Sequence, residues 1–170
     1  MEEYGYFEEK DVQGVTRAGT DRLYLLDFHD MEYHKKIEEE FGDFNFSGLY
    51  LLINSTENKI YVGESSNVKI RNKGQIKTSP VSGFKFNKII LIWDGRPTTT
   101  SHFGQDGFRK SLEKICINVF DIDYSKYKNV NSVKNPKVTN VRTNSSVVRF
   151  KHELYFLLYK YNLIHTIPKV

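Results

Sequence analysis

The sequence predicts an α+β fold, within the broad α/β class, in which a three-stranded antiparallel central sheet is flanked by helices. Three short runs rich in apolar and β-branched residues, 49–53, 59–63 and 88–93, have the length and composition of strands. Two later segments, 106–120 and 146–161, repeat apolar residues at the spacing of amphipathic helices. Because each helix must bury its apolar stripe, we expect the helices to cover the sheet.

Composition is that of one folded domain. The 170 residues, of which 39% are hydrophobic and 27% charged, are ordinary for a single globular unit. The net charge of +4 suits an anionic partner. The longest apolar runs fall far short of the roughly 20 residues that span a bilayer. The single cysteine, Cys116, excludes an internal disulfide and a cysteine-based zinc cluster. With a polar N-terminus unlike a secretory signal, these features predict a cytoplasmic protein without membrane contact.

Residues 1–47 are predicted to form an N-terminal extension packed on the core. Residues 1–20 lack periodicity and are expected to be irregular, whereas 23–28 has the composition of a strand. The segment 31–41 carries apolar residues four apart and ends before Gly42, which predicts a helix.

Residues 48–140 are predicted to form the core. The first two strands are separated by 54–58, whose residue types favour turns, and therefore form a β-hairpin. The third strand is predicted to end at residues 94–97, whose types favour a turn. The helix at 106–120 has an apolar face made of Phe108, Leu112, Ile115, Cys116 and Val119.

Residues 141–170 are predicted to form a C-terminal helical extension of the same globular unit. Ser146 is suited to cap the helix. The apolar stripe consists of Val147, Phe150, Leu154, Leu157, Leu158 and Tyr161.

Two tripeptides in the predicted hairpin carry a family resemblance. Gly48-Leu49-Tyr50 is followed, after ten residues, by Tyr61-Val62-Gly63, and then by hydroxyl residues, Asn67-Val68 and Arg71. This arrangement resembles the GIY-YIG nuclease family, with Leu and Val in place of the two isoleucines, which are swaps of similar volume. The resemblance implies a GIY-YIG-type sheet and a DNA endonuclease that hydrolyses phosphodiester bonds with Mg²⁺, for which Mn²⁺ can substitute.

The resemblance also implies roles for four residues. Tyr50 would act as general base, and Tyr61 would position the water or the phosphate. Arg71 would contact the non-bridging phosphate oxygens, for which a planar, permanently charged guanidinium is suited. Glu113, beside the buried face of its predicted helix, would hold the single metal ion; Glu153 on the final helix is the second choice for that carboxylate.

The chain departs from the family pattern at two points. Many members carry a His four residues after the Arg, where this chain has Gln75. Lys73 and Lys77 compete to substitute for that His, although a solvated basic loop explains each of them better when it is taken singly. Lys69 and Lys77 are candidate phosphate-binding residues. Many members also have an Asn after the Glu helix. Four residues compete for that position, of which Asn135 is favoured: Asn129, Asn131, Asn135 and Asn140.

A second function remains open from the sequence. Fold alone does not establish activity, so the alternative is a catalytically inactive GIY-YIG-fold module that binds nucleic acid or another protein. RNA stays open as the substrate, and a homodimer is one arrangement that would cleave both strands of DNA.

Overall fold

A mixed β-sheet is the centre of the fold in the computed structural model of this chain. The structure describes residues 3–4, 7–8, 16–17, 23–28, 46–68, 70–71, 79–132, 134, 136 and 145–168. Its strands are β1 (Glu3–Tyr4), β2 (Phe7–Glu8), β3 (Thr16–Arg17), β4 (Tyr24–Phe28), β5 (Gly48–Asn54), β6 (Lys59–Ser65), β7 (Lys88–Trp93) and β8 (Lys128–Asn129). A 3₁₀ turn at His102–Gly104 leads into helix α1 (Asp106–Asp121), and helix α2 (Ser145–Lys160) follows.

The main sheet has six strands in the order β3-β4-β7-β5-β6-β8, and β1 pairs separately with β2. All pairings in the main sheet are antiparallel except that of β6 with β8, which is parallel. The predicted α+β fold is confirmed. The three strands of the predicted central sheet are β5, β6 and β7, which are neighbours, but the sheet holds six strands among the described residues. Of the additional strands, β4 forms in the segment 23–28, whose composition is that of a strand, whereas β3 and β8 have only two residues each.

The β5–β6 hairpin forms where the sequence predicts it. The side chain of Asn54 accepts hydrogen bonds from the backbone N–H groups of Thr56 and Glu57 at 3.0 and 2.8 Å. Asn58 adopts a positive φ of 55°, which asparagine tolerates better than most residues. The two asparagines therefore stabilise the turn at its two ends, one through side-chain hydrogen bonds and the other through its backbone conformation.

Each face of the sheet has its own core. On one face, strand residues pack against α1 and α2; they include Leu49, Leu51, Val62, Ile90 and Ile92. On the opposite face, Tyr50, Leu52 and Trp93 pack with Phe46 and Val68, and Tyr61 lies at the border of this cluster. The register pairs Tyr50 with Gly63 and Leu52 with Tyr61. Because alternate residues of a strand share a face, both tyrosines lie on the face opposite the helices.

The two described helices match the predicted ones. All five residues of the predicted apolar face of α1 are buried, as are five of the six in the predicted stripe of α2, with Tyr161 half-buried. Ser146 lies inside α2 rather than at its cap, because the helix already includes Ser145. The predicted helix at 31–41 lies outside the described residues.

The N-terminal segment differs from the prediction. The sequence predicts irregular structure for residues 1–20, but they contain the β1–β2 pair and β3, which pairs with β4. Strands of two residues are too short to show a period of two in sequence. No helix in the described part of the chain is long and apolar enough to cross a bilayer.

Candidate active site

Tyr50 is held by its close contact with Gly63. The ring of Tyr50 lies over the glycine, so that a Cβ atom added there would stand 2.1 Å from Cζ of Tyr50 and 2.4 Å from its Oη. A real Cβ could not occupy that space, and the absence of a side chain lets the ring cross the neighbouring strand. The glycine of the second tripeptide is thus the surface on which the tyrosine of the first one rests.

A short helical segment after β6 positions Arg71. The side chain of Asn67 accepts a hydrogen bond from the N–H of Ile70 at 3.1 Å, which caps the first turn. Asn67 is itself fixed, because its N–H donates to Oγ of Ser65 at 3.0 Å. Val68 is buried in the core that contains Tyr50, and its N–H donates to the carbonyl of Phe46 at 3.1 Å. These hydrogen bonds therefore fix the backbone ahead of Arg71 and so position its guanidinium.

The two tyrosines and Arg71 are in contact. The rings of Tyr50 and Tyr61 lie 6.3 Å apart between centroids, with their planes tilted by 32°. The guanidinium of Arg71 hydrogen-bonds the hydroxyl of Tyr50, which in turn hydrogen-bonds Tyr61. Arg71 is exposed, Tyr50 is buried and Tyr61 is half-buried, so the buried phenol lies between a solvent-exposed guanidinium and a half-buried phenol.

Burial dominates the acidity of both tyrosines. Desolvation raises the pKa of Tyr50 well above its ordinary value, Tyr61 raises it further, and Arg71 lowers it by charge and by hydrogen bonding. Desolvation and the charge of Glu113 raise the pKa of Tyr61, whereas Arg71 and the hydrogen bond from Tyr50 lower it. Arg71 is thus a cation beside Tyr50, but its effect on the pKa of Tyr50 is smaller than that of burial.

Glu113 reaches the same region from α1. Burial raises the pKa of Glu113 to about 7, and the negative charge of Glu64 raises it too, against the opposing charges of nearby lysines and Arg109. The charge of Glu113 acts on both tyrosines, which establishes that the carboxylate and the two phenols share one electrostatic environment. A half-buried carboxylate whose pKa is raised in this way would be stabilised by a cation.

An ion-pair network centred on the buried Arg109 connects Glu64 to α1. The guanidinium of Arg109 is only 4% exposed and hydrogen-bonds three acceptors: the carboxylate of Glu64, Asp106 Oδ1 at 2.5 Å and the carbonyl of Phe103 at 2.8 Å. Arg109 lies one helical turn before Glu113. The network therefore ties the end of β6 to the part of α1 that carries Glu113. No local sequence pattern predicts it, because Glu64 and Arg109 lie 45 positions apart.

Asn131, one of the four competing asparagines, is fixed against β6. Its side chain donates to the carbonyl of Val62 at 2.7 Å and accepts from the N–H of Val62 at 2.9 Å. The amide thereby pairs with β6 as another strand would, between Tyr61 and Gly63. Asn129, by contrast, donates to Asp121 at 2.8 Å. Of these two asparagines, both near β6, Asn131 is therefore the one whose side chain hydrogen-bonds the strand of the second tripeptide.

Arg71 and Glu113 thus both act electrostatically on Tyr50 and Tyr61, so the four residues expected to carry catalysis are coupled through the two phenols. Glu153, the second choice for the metal carboxylate, is buried on α2 in the helical layer. Several candidates lie outside the described residues: Lys69, Lys73, Gln75, Lys77, Asn135 and Asn140.

The donor set at this site fits one hard divalent ion. Among the described residues there is no group of three or more His, Cys, Asp or Glu side chains that could hold a metal. Mg²⁺ in phosphoryl-transfer sites is commonly held by one or two carboxylates together with substrate phosphates and water. Glu113 suits that mode, because Glu64 is already engaged by Arg109.

Comparisons with models of known protein families, with curated protein sequences and with solved structures found no match.

Proposed function

We propose that this protein is a Mg²⁺-dependent DNA endonuclease of the GIY-YIG type, whose core sheet is the antiparallel β7-β5-β6 unit. The observation that carries the proposal is electrostatic coupling among groups from three elements: Arg71, from the segment after the hairpin, and Glu113, from α1, both shift the pKa values of Tyr50 and Tyr61 on the hairpin. Each is a residue for which the family resemblance implies a catalytic role.

The four groups match the needs of phosphodiester hydrolysis. A nucleophile must be made from water, the charge on the phosphate must be offset, and the leaving oxygen must be stabilised. Arg71 is exposed and presents a permanent positive charge, so it binds the phosphate oxygens. Tyr50, as the phenolate formed when it has lost its own proton to solvent, receives the proton of the attacking water, and Tyr61 orients that water through the hydrogen bond that joins the two side chains.

Glu113 is the residue that would hold the divalent ion. When bound, such an ion offsets the phosphate charge and stabilises the leaving oxygen. The negative charge of Glu113 raises the pKa values of both tyrosines. A cation held by Glu113 would offset that charge, lower the two pKa values and so favour the phenolate forms. The raised pKa values in the protein alone therefore agree with an enzyme whose base is activated only when metal and substrate are present.

The experiment is cleavage of supercoiled plasmid in Mg²⁺, with wild type beside Glu113→Gln and Tyr50→Phe and resolved on a gel. Both substitutions nearly preserve side-chain volume. Lys59→Gln, at the exposed first residue of β6, serves as the control for a changed surface charge. The proposal requires metal-dependent nicking or linearisation that the control retains and both site variants lose. Cleavage that persists without divalent metal, or in both variants, contradicts it.

A nucleic-acid-binding module without turnover is the alternative, favoured by one observation. Burial raises the pKa values of both Tyr50 and Tyr61, so neither phenol is a base at neutral pH without further positive charge. Arg71 would still bind phosphate. Retained, salt-dependent DNA binding together with no cleavage in Mg²⁺ or Mn²⁺ on plasmid, linear and branched DNA would favour this function.

A further inference from the structure

Helix α2 presents a row of basic and aromatic side chains to solvent. Its exposed residues recur at the three- and four-residue spacing of one helical face; we name them the α2 stripe, and they are Arg149, His152, Phe156, Tyr159 and Lys160. The opposite face of α2 is buried in the core. The stripe extends over about 16 Å at the rise of an α-helix.

The two aromatic rings of the stripe are unusually open to water. Phe156 is 44% exposed and Tyr159 is 46% exposed. Large aromatic side chains normally bury most of their surface, and a helix that already buries a full apolar face does not need two more rings outside. Exposed rings on a rigid helix are suited to contact a partner.

The stripe is positively charged and carries no carboxylate. The one acidic residue of α2, Glu153, is only 5% exposed and lies off the stripe. Within the described ranges, no carboxylate oxygen lies within 4.0 Å of Arg149 or Lys160. Their charge is therefore available to an anionic ligand.

A cleft continues the stripe at the C-terminal end of α2. It has a volume of about 540 Å³, and its lining includes Tyr159 and Lys160 of the stripe together with Lys126, Asn162 and His165. Its walls are joined by hydrogen bonds, since Oγ of Ser125 donates to the carbonyl of Leu163 at 2.6 Å and the N–H of His165 donates to the carbonyl of Tyr124 at 2.8 Å. Lys126 and Lys160 therefore face one fixed concave surface.

We propose that the α2 stripe and this cleft bind single-stranded nucleic acid, separately from the candidate active site. Phe156 and Tyr159 would stack on bases, and Arg149, Lys126 and Lys160 would contact phosphates. Aromatic platforms combined with a basic groove are the usual means of binding single strands without sequence preference. At roughly 3.4 Å per stacked nucleotide, the stripe of about 16 Å accommodates about five nucleotides.

Two other occupants fit less well. A membrane surface would require an apolar face to insert, but the apolar face of α2 is buried in the core. A second copy of the chain would bring identical positive stripes together about a two-fold axis, which their charges disfavour. Charge complementarity therefore favours a polyanion with flat bases.

The inference shares with the proposed function the premise that nucleic acid is the ligand, but it does not require cleavage. The test is fluorescence anisotropy of a labelled 12-nucleotide single-stranded DNA in EDTA, so that no metal-dependent step contributes. Two double variants are compared with wild type: Phe156→Ala with Tyr159→Ala, and Arg149→Gln with Lys160→Gln. Ile122→Ala, at an exposed apolar residue outside the stripe, and Lys59→Gln are the matched controls.

We expect the aromatic double variant to weaken binding by at least about fivefold, the lower limit for removing one base-stacking interaction. The charge variant should reduce the slope of log affinity against log salt by about 1.4, or about 0.7 for each phosphate that the protein no longer neutralises. Both controls should bind as wild type does.

Three results would overturn the inference. The first is absence of binding by wild type, or equal binding by wild type and both stripe variants. The second is loss of binding to anionic phospholipid vesicles in the stripe variants while DNA affinity is unchanged. The third is conversion of a dimer to a monomer in the variants with unchanged DNA affinity. Glu113→Gln separates the two proposals, because it should lose cleavage yet keep wild-type anisotropy.

Discussion

The ring of Tyr50 lies over Gly63 on the neighbouring strand, at a distance that leaves no room for a Cβ atom. Gly63→Ala should therefore displace the ring and destabilise the protein by about 1–3 kcal/mol, as other overpacked sites do. It should also reduce cleavage, because the Tyr50 hydroxyl would leave Arg71 and Tyr61. Urea unfolding and the plasmid assay measure the two effects.

Gly107→Ala is the matched control for that substitution. Gly107 lies in the first turn of α1, and a Cβ atom built there meets nothing within 4 Å. The change should be neutral or stabilising by up to about 1 kcal/mol, because alanine is the better helix former. A Gly63→Ala protein that matches this control in stability and activity would contradict the packing argument.

Asn67 should govern activity through Arg71. Asn67→Ala removes the cap on Ile70 and should lower the free energy of unfolding by about 0.5–2 kcal/mol. Cleavage should fall by more than stability alone explains, because the segment that carries Arg71 loses its anchor. Asn67→Ser keeps a capping oxygen and should retain most activity. Equal activity of the Ala and Ser variants under fully folded conditions would argue against this positioning role.

Arg109 should be needed for stability rather than for chemistry. Arg109→Met leaves the half-buried Glu64 without its partner and should destabilise the protein by about 3–5 kcal/mol. Arg109→Lys should rescue little, since one ammonium cannot reach three acceptors in three directions. Adding Glu64→Gln to Arg109→Met should recover part of the loss. Denaturant unfolding of the three variants measures this, and additive losses would rule out the coupling.

Glu113 should make stability fall as pH rises. Its pKa is raised from 4.5 to about 7 in the folded protein, so between these values the folded state binds a proton that the unfolded state has released. Unfolding free energy should therefore decrease from pH 4.5 to about 7 relative to Glu113→Gln, which lacks the group. Wild type and variant should show parallel pH profiles only if burial does not raise this pKa.

The same titration should control metal affinity. A divalent ion competes with the proton on Glu113, so the Mg²⁺ concentration for half-maximal cleavage should fall as pH rises through about 7. Measurement at pH 6 and pH 8 checks this. A half-maximal concentration that is the same at both values would indicate that another group binds the metal.

Sequence patterns predict the parts of the fold that depend on local periodicity. The β5–β6 hairpin, β7, α1 and α2 all carry their signal within a few residues, and the predicted bounds agree closely with the observed ones. The strands β3 and β8 carry no such signal, because each has two residues and exists only through pairing with another strand. The number of strands in the sheet therefore cannot be predicted locally.

The residues of the candidate site also divide into those that local sequence patterns predict and those that only the folded structure reveals. The tripeptides and the Asn67 to Arg71 spacing select Tyr50, Tyr61 and Arg71, because one hairpin and the segment after it position all three. By contrast, Arg109 meets Glu64 across 45 positions of sequence, and Asn131 meets Val62 across 69. The raised pKa values depend on burial, which requires the assembled sheet. Interactions and acidities of this kind become visible only in three dimensions.

The most direct test is the single-turnover rate of phosphodiester cleavage by Tyr50→Phe, at saturating protein and Mg²⁺. Tyr127→Phe, another buried tyrosine outside the candidate site, is the matched control. Tyr50→Phe should be slower than wild type by about 10²–10⁴-fold, the range for loss of a general base, with unchanged DNA affinity. A Tyr50→Phe protein that cleaves at the rate of wild type and of the control would contradict the assignment of Tyr50 as the catalytic base.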